Sequence, residues 1–140
     1  MSKNKRVAVI TGGAQGIGRR TSELLAQQGY RVAIIDRHDP VNTVKTIKTA
    51  DGEAIGYAGD ITDEGAVGSF ARQVFDIYRR VDVLVNNAGI SLISPAEHTA
   101  LSDYRQVLNV NLVAPFLLAK TFGEQMLEAG SGSKIGRAHV

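Results

Sequence analysis

The chain has 140 residues, 44% hydrophobic and 21% charged, with a net charge of +2, which fits about one globular domain and excludes a disordered or fibrous chain. The absence of cysteine excludes a disulfide scaffold, a thiol nucleophile and a thiolate zinc site, and no metal site is expected. Basic residues are scattered apart from Lys3, Lys5 and Arg6, which read as a solvated N-terminus, so no nucleic-acid face is expected. No apolar run reaches the ~18 residues of a membrane span. The apolar run Val7 to Ile10 is too short for a signal peptide and leads straight into Thr11-Gly12-Gly13, so the expected location is cytoplasmic.

In chain order, Arg6 to Ile10 is a β-rich run ended by glycines and predicts a buried strand. Ile17 to Gln28 predicts a helix with Ile17, Thr21, Leu24, Leu25 and Gln28 on one face, closed by Gly29. Arg31 to Ile35 predicts a second strand. Val41 to Ala50 is a weaker helix with Val41, Val44 and Ile47 in register, and Ala54 to Ala58 is a third strand. Thr62 or Asp63 can cap a helix to about Arg79, with Val67, Phe70, Val74 and Tyr78 at helical spacing. Asp82 to Val85 is a fourth strand. After a loop containing Pro95, Ser102 or Asp103 can cap a long helix to about Ala129. Strands alternating with helices predict an α/β fold, a Rossmann-like doubly wound parallel sheet truncated after about the fourth strand and the long helix.

The turn Thr11-Gly12-Gly13-Ala14-Gln15-Gly16-Ile17-Gly18 joins the first strand to the first helix. Gly12 suits a tight turn, Gly16 lets a ligand approach the backbone, and Gly18 lets the helix pack closely. The free amides and positive dipole end of the helix then suit a pyrophosphate. Asp36 ends the second strand and stands 18 residues after Gly18, where an acid can accept hydrogen bonds from an adenosine ribose and repel a 2′-phosphate. Arg37 beside it could instead meet a 2′-phosphate, but Gln15 adds no positive charge to the turn. NAD is therefore expected over NADP.

Thr11-Gly12-x-x-x-Gly16-x-Gly18, then Asp60 after the third strand, Asn86-Asn87-Ala88-Gly89 after the fourth and Asn111 in the long helix together resemble the short-chain dehydrogenase/reductase family. The resemblance runs from about Arg6 to Lys134. It implies that Thr11 ties the glycine turn to the Asn86–Gly89 segment and that Gly12, Gly16, Ile17 and Gly18 surround the pyrophosphate. It implies that Asp36 binds the ribose, that Asp60 and Ile61 border the adenine, and that Asn87, Ala88 and Gly89 line the cofactor. Asn111 matches the family's catalytic asparagine, whose main chain holds a water in a proton relay. Pro115, four residues on, has no N–H to give the Asn111 carbonyl, so the helix should bend there; Pro115 serves either that relay or packing alone. The implied reaction is hydride transfer between nicotinamide and a small-molecule alcohol or carbonyl substrate, in a parent protein expected to be a homo-oligomer.

The family's chemistry also needs a serine and a Tyr-x-x-x-Lys pair. Four residues after Tyr30, Tyr57, Tyr78 and Tyr104 stand Ile34, Ile61, Asp82 and Leu108, none of them lysine. Lys134 to Val140 can be spelled by codons that run through a common short-read sequencing adapter. Residues 1–134 are therefore expected to be the N-terminal part of a dinucleotide-binding domain and residues 135–140 a non-native tail, making His139 an artefact. His38 and His98 are expected at the surface, and Asp36 and Asp39 are not a catalytic pair. This chain alone is expected to be inactive, with its fourth strand uncovered on one side. The alternative reading is a non-catalytic dinucleotide-binding sensor on the same fold.

Overall fold

A computed structural model of the chain describes residues 4–136, which form one parallel sheet with helices on both faces. The strands are β1 (Val7–Thr11), β2 (Arg31–Asp36), β3 (Glu53–Ala58), β4 (Val83–Asn86) and β5 (Ser133–Gly136), in the order β3-β2-β1-β4-β5. The helices are α1 (Gly16–Gln27), α2 (Val41–Thr49), α3 (Glu64–Tyr78), α4 (Leu101–Leu108) and α5 (Ala114–Ala129). Side chains alternate across a strand, so β1 feeds two cores. Val7 and Val9 join Phe70, Val74, Leu118 and Phe122 from α3 and α5, where the Phe70 and Phe122 rings meet edge to face at 5.9 Å. Ala8 and Ile10 join Val32, Ile34 and Ile47 beneath α1 and α2. The central strands are buried on both faces, which is why they read as continuous apolar runs.

The amino ends of the strands are tied together by polar contacts. Lys5 Nζ pairs with Glu53 Oε1 at 3.1 Å. The Arg31 guanidinium lies over the Tyr78 ring and donates to the carbonyls of Lys5 and Tyr78. Asp82 Oδ2 accepts from the Val7 N–H at 2.8 Å while its carboxylate also takes two bonds from Arg80.

Several elements differ from expectation. A fifth strand extends the sheet beyond the four predicted: Ser133–Gly136 pairs in parallel with Val83–Asn86, so β4 is covered and β5 is the edge. The free N–H and C=O groups of β4 recruit it, although all four of its residues are exposed. Lys3, His139 and residues 137–140 of the expected tail lie outside the described residues. In α1 the buried positions are Gly18 and Ser22, while Ile17 is 66% exposed and Leu24 41%. Small residues face the sheet because they let the helix backbone approach the glycine turn. In α2 the buried positions are Thr43 and Ile47, and Val41 is exposed. The long helix starts at Leu101 after Ala100, which makes no side-chain cap, so neither Ser102 nor Asp103 caps it. It is divided by a π-helical segment, Asn109–Val113, in which the Ala114 N–H donates to the Asn109 carbonyl. Pro115 stands in the first turn of α5. Its ring would crowd the carbonyl of Asn111, and a turn widened by one residue accommodates it.

Candidate nucleotide-binding cleft

The chain adds β2 and β3 on one side of β1, then crosses to place β4 on the other. Loops leaving the carboxyl ends of β1 and β4 therefore diverge and open a crevice, the usual ligand position in such sheets. A cleft of about 310 Å³ lies there. Gly12, Gln15, Gly16 and Ile17 form one wall, Asp36, Arg37, Asp60 and Ile61 a second, and Asn87, Ala88 and Gly89 the third.

Gly12 and Gly16 have φ of +71° and +59°, conformations that an L side chain enters only at a cost. Nothing lies within 4 Å of where a Gly16 Cβ would stand, so the backbone there is bare toward the cleft. A Gly18 Cβ, in contrast, would run into the Gly12 carbonyl and Asn87 Nδ2. Gln15 occupies the N-cap of α1 without a capping side-chain bond, and the first turn holds no acid. The opening amides and the positive end of the helix are thus left for an anion.

Thr11 and Gly18 are buried beneath the cleft rather than in it. Thr11 Oγ1 accepts from the Ala88 N–H at 3.0 Å, and Asn87 Nδ2 donates to the carbonyls of Thr11 and Gly12, each at 3.1 Å. These bonds tie the loops after β1 and β4 into one surface. Asp36 is held by both oxygens: Oδ2 accepts from the Ala14 N–H at 2.9 Å and Oδ1 from the His38 N–H at 3.0 Å. Asp60 Oδ1 accepts from the N–H and the hydroxyl of Thr62. The Thr62 N–H, above all, holds the Asp60 carboxyl below the usual range against partial burial, with the Thr62 hydroxyl and Arg37 adding to it. The cap of α3 is Asp63, which accepts from Gly65 and Ala66.

Asn111 does not line the cleft. Its Oδ1 accepts from the Ile90 N–H at 2.9 Å and its Nδ2 donates to the Ile90 carbonyl at 2.7 Å. This two-point clamp holds the loop after Gly89, and Ile90 itself lines the cleft. Ile35, His38, Gly59 and Val110 also line it, and the sequence assigns none of them a place in the site. His38 is exposed, as expected, and also borders the cleft because it follows Asp36 around the turn after β2. Proximity to a strand's carboxyl end was the available signal for Ile35, His38, Gly59 and Ile90; Val110, inside a helix, offered none. Among the described residues no group of three His, Cys, Asp or Glu could hold a metal.

Fold and cleft together define a Rossmann-type nucleotide-binding α/β protein. Residues 6–136 match the family model described as short chain dehydrogenase, and the chain belongs to that family. It is 35% identical over 135 residues to the D-threitol dehydrogenase of Mycolicibacterium smegmatis, covering 95% of this chain and 52% of the relative. It is 37% identical over 134 residues to the sorbitol-6-phosphate 2-dehydrogenase of Escherichia coli, covering 93% and 52%. The crystal structure of a metagenomic short-chain oxidoreductase in complex with NADP superposes with a TM-score of 0.90 at 34% identity, covering 96% of this chain and 63% of that one. The chain spans about half the length of the curated relatives it matches.

Proposed function

We propose that this chain is the cofactor-binding part of an NAD-dependent dehydrogenase that acts on a small alcohol or carbonyl compound. The observation that carries the NAD preference is the Asp36 carboxylate, fixed by the Ala14 and His38 amides at the wall of the cleft. Each oxygen keeps a lone pair for a ribose hydroxyl, and the fixed negative charge opposes a 2′-phosphate. NADP in the metagenomic relative, and Arg37 beside Asp36, make NADP the competing cofactor.

The residues fit a dinucleotide. Bare backbone at Gly16 and the uncapped start of α1 suit the pyrophosphate, Asp36 the ribose, Asp60 and Ile61 the adenine rim, and Asn87 to Gly89 the path onward. The cofactor, when bound, supplies hydride transfer. Asn111 fixes the Ile90 loop through its amide and is proposed to serve the proton relay through its main-chain carbonyl. No tyrosine here is followed by lysine at the fourth position, so the 140 residues alone are proposed to bind nucleotide without turnover. Residues 135–140 are proposed to be non-native, the parent a cytoplasmic homo-oligomer, and nucleic acid not a ligand.

The test is a pair of titrations with NAD and NADP, repeated on Asp36→Ala. The parent chain should favour NAD, and the variant should lose about 1.5–3 kcal/mol of NAD affinity, the worth of a hydrogen bond to a charged group. Tighter binding of NADP by the parent chain would overturn the assignment and transfer the discriminating role to Arg37.

A further inference from the structure

We infer that Thr43 of α2, which is outside the cleft, is a positioning residue for it: it locks the Gly13–Ala14 peptide so that the Ala14 N–H holds Asp36 in place. A peptide group is planar, and in its trans form the C=O and N–H point to opposite sides. The Gly13–Ala14 group is held at both. Its carbonyl accepts from Thr43 Oγ1 at 2.8 Å, and its N–H donates to Asp36 Oδ2 at 2.9 Å. Rotation of this one plane breaks both bonds. The two partners come from different elements, α2 and the end of β2, so the peptide bridges them.

Thr43 is completely buried on α2, one turn before the core residue Ile47, an unusual setting for a hydroxyl. Its Oγ1 also lies 3.4 Å from the Ala14 carbonyl. A buried hydroxyl is retained where it has a polar partner, and here both partners are carbonyls of the glycine turn. The arrangement hydroxyl to carbonyl, then amide to carboxylate, runs through one conjugated group. Donation to the carbonyl polarises the amide and strengthens its bond to the acid. Valine at 43 keeps the shape and volume but strands the Gly13 carbonyl and frees the plane to turn. Asp36 then keeps only the His38 N–H.

The effect on affinity rests on the nucleotide reading above; the effect on the Ala14 amide does not. The experiment uses the isotopically labelled 140-residue chain with Thr43→Val and Thr43→Ser. In Thr43→Val the Ala14 amide proton should move upfield and exchange faster, while Thr43→Ser should leave it near the parent position. Affinity for AMP should fall about 3- to 10-fold in Thr43→Val, the worth of one hydrogen bond. The same substitution made in Asp36→Ala should cost nothing further, because its effect passes through the carboxylate. Should Thr43→Val fail to fold, Thr43→Ala carries the same expectations. An unmoved Ala14 resonance, or an equal loss in the Asp36→Ala background, overturns the inference. A parent chain that does not bind AMP overturns the nucleotide reading instead, and the amide resonance still decides the role of Thr43.

Discussion

Two glycines of one turn should respond to the same substitution by different mechanisms and to different degrees. In Gly18→Ala the new Cβ would overlap the Gly12 carbonyl oxygen and Asn87 Nδ2. Neither can swing aside. The Gly12 N–H donates to the Ile35 carbonyl at 2.9 Å, and Asn87 Nδ2 already bonds the Thr11 and Gly12 carbonyls. The start of α1 must therefore lift. Overpacking of this kind costs about 1–3 kcal/mol, and losing both Asn87 bonds adds about 0.5–1.5 kcal/mol for each. The expected loss is about 2–6 kcal/mol. In Gly16→Ala the Cβ enters open space, so the cost is the left-handed backbone alone, about 1–2 kcal/mol. Near this chain length each kcal/mol moves the midpoint by about 3–5 °C. Thermal unfolding followed by circular dichroism should therefore place Gly18→Ala well below Gly16→Ala. Binding should separate them again: Gly16→Ala keeps the fold yet places a methyl where the nucleotide would sit, so its AMP affinity should collapse. Equal melting temperatures for the two variants would refute the packing argument.

Four further outcomes follow from the geometry. Phe122→Ala, at a fully buried ring packed against Phe70 and Phe75, should lose about 3–5 kcal/mol in denaturant unfolding. Burial acts to raise the Asp82 carboxyl, but the Arg80 side chain together with the Val7 N–H outweighs it and leaves Asp82 below the usual range. Its stabilisation is therefore full above the unfolded value of about 4 and lost as pH falls through the folded one, and Asp82→Asn should flatten the acid limb of a stability–pH profile. Burial, assisted by Glu53 and opposed by Arg31, pushes Tyr78 up to about 12. The neutral ring is favoured in the fold, so stability should decline as pH rises from about 10 towards 12, and Tyr78→Phe should remove that decline in an alkaline titration of melting temperature. Asn111→Ala should release both bonds to Ile90, seen as faster amide exchange at Ile90 with a stability loss of about 1–3 kcal/mol.

The helix α3 was legible because its cap and its spacing speak together: Asp63 accepts from two amides of the first turn, and Val67, Phe70, Val74 and Tyr78 are all buried. The glycine turn and Asp36 were legible because glycine spacing reflects backbone geometry directly. The inward face of α1 was not, since Gly18 and Ser22 leave no apolar signature and are chosen by closeness to the turn. Thr43 carries no signature in the sequence for the same reason: its hydroxyl matters only once α2 is folded over the Gly13 carbonyl. The π-helical segment depends on how Pro115 meets a turn of helix already formed. The strand Ser133–Gly136 has little hydrophobic pattern and exists through its pairing with β4, a contact about 50 residues away in the chain. For Asn111 the sequence points to a proton relay, while the grip on the Ile90 backbone that the structure shows leaves no mark in the sequence.

The ties at the amino ends of the strands have a mechanical consequence. Lys5 with Glu53, Arg31 with the Lys5 and Tyr78 carbonyls, and Asp82 with the Val7 N–H act like a vice on one rim of a plate. The opposite rim, where the candidate cleft opens, has ties of its own, Thr11 to Ala88 and Asn111 to Ile90, but these hold the loops and not the register of the strands. Those loops can lengthen, shorten or exchange residues while the register of the strands below stays pinned. One sheet can in this way present many different mouths without loss of the plate that carries them.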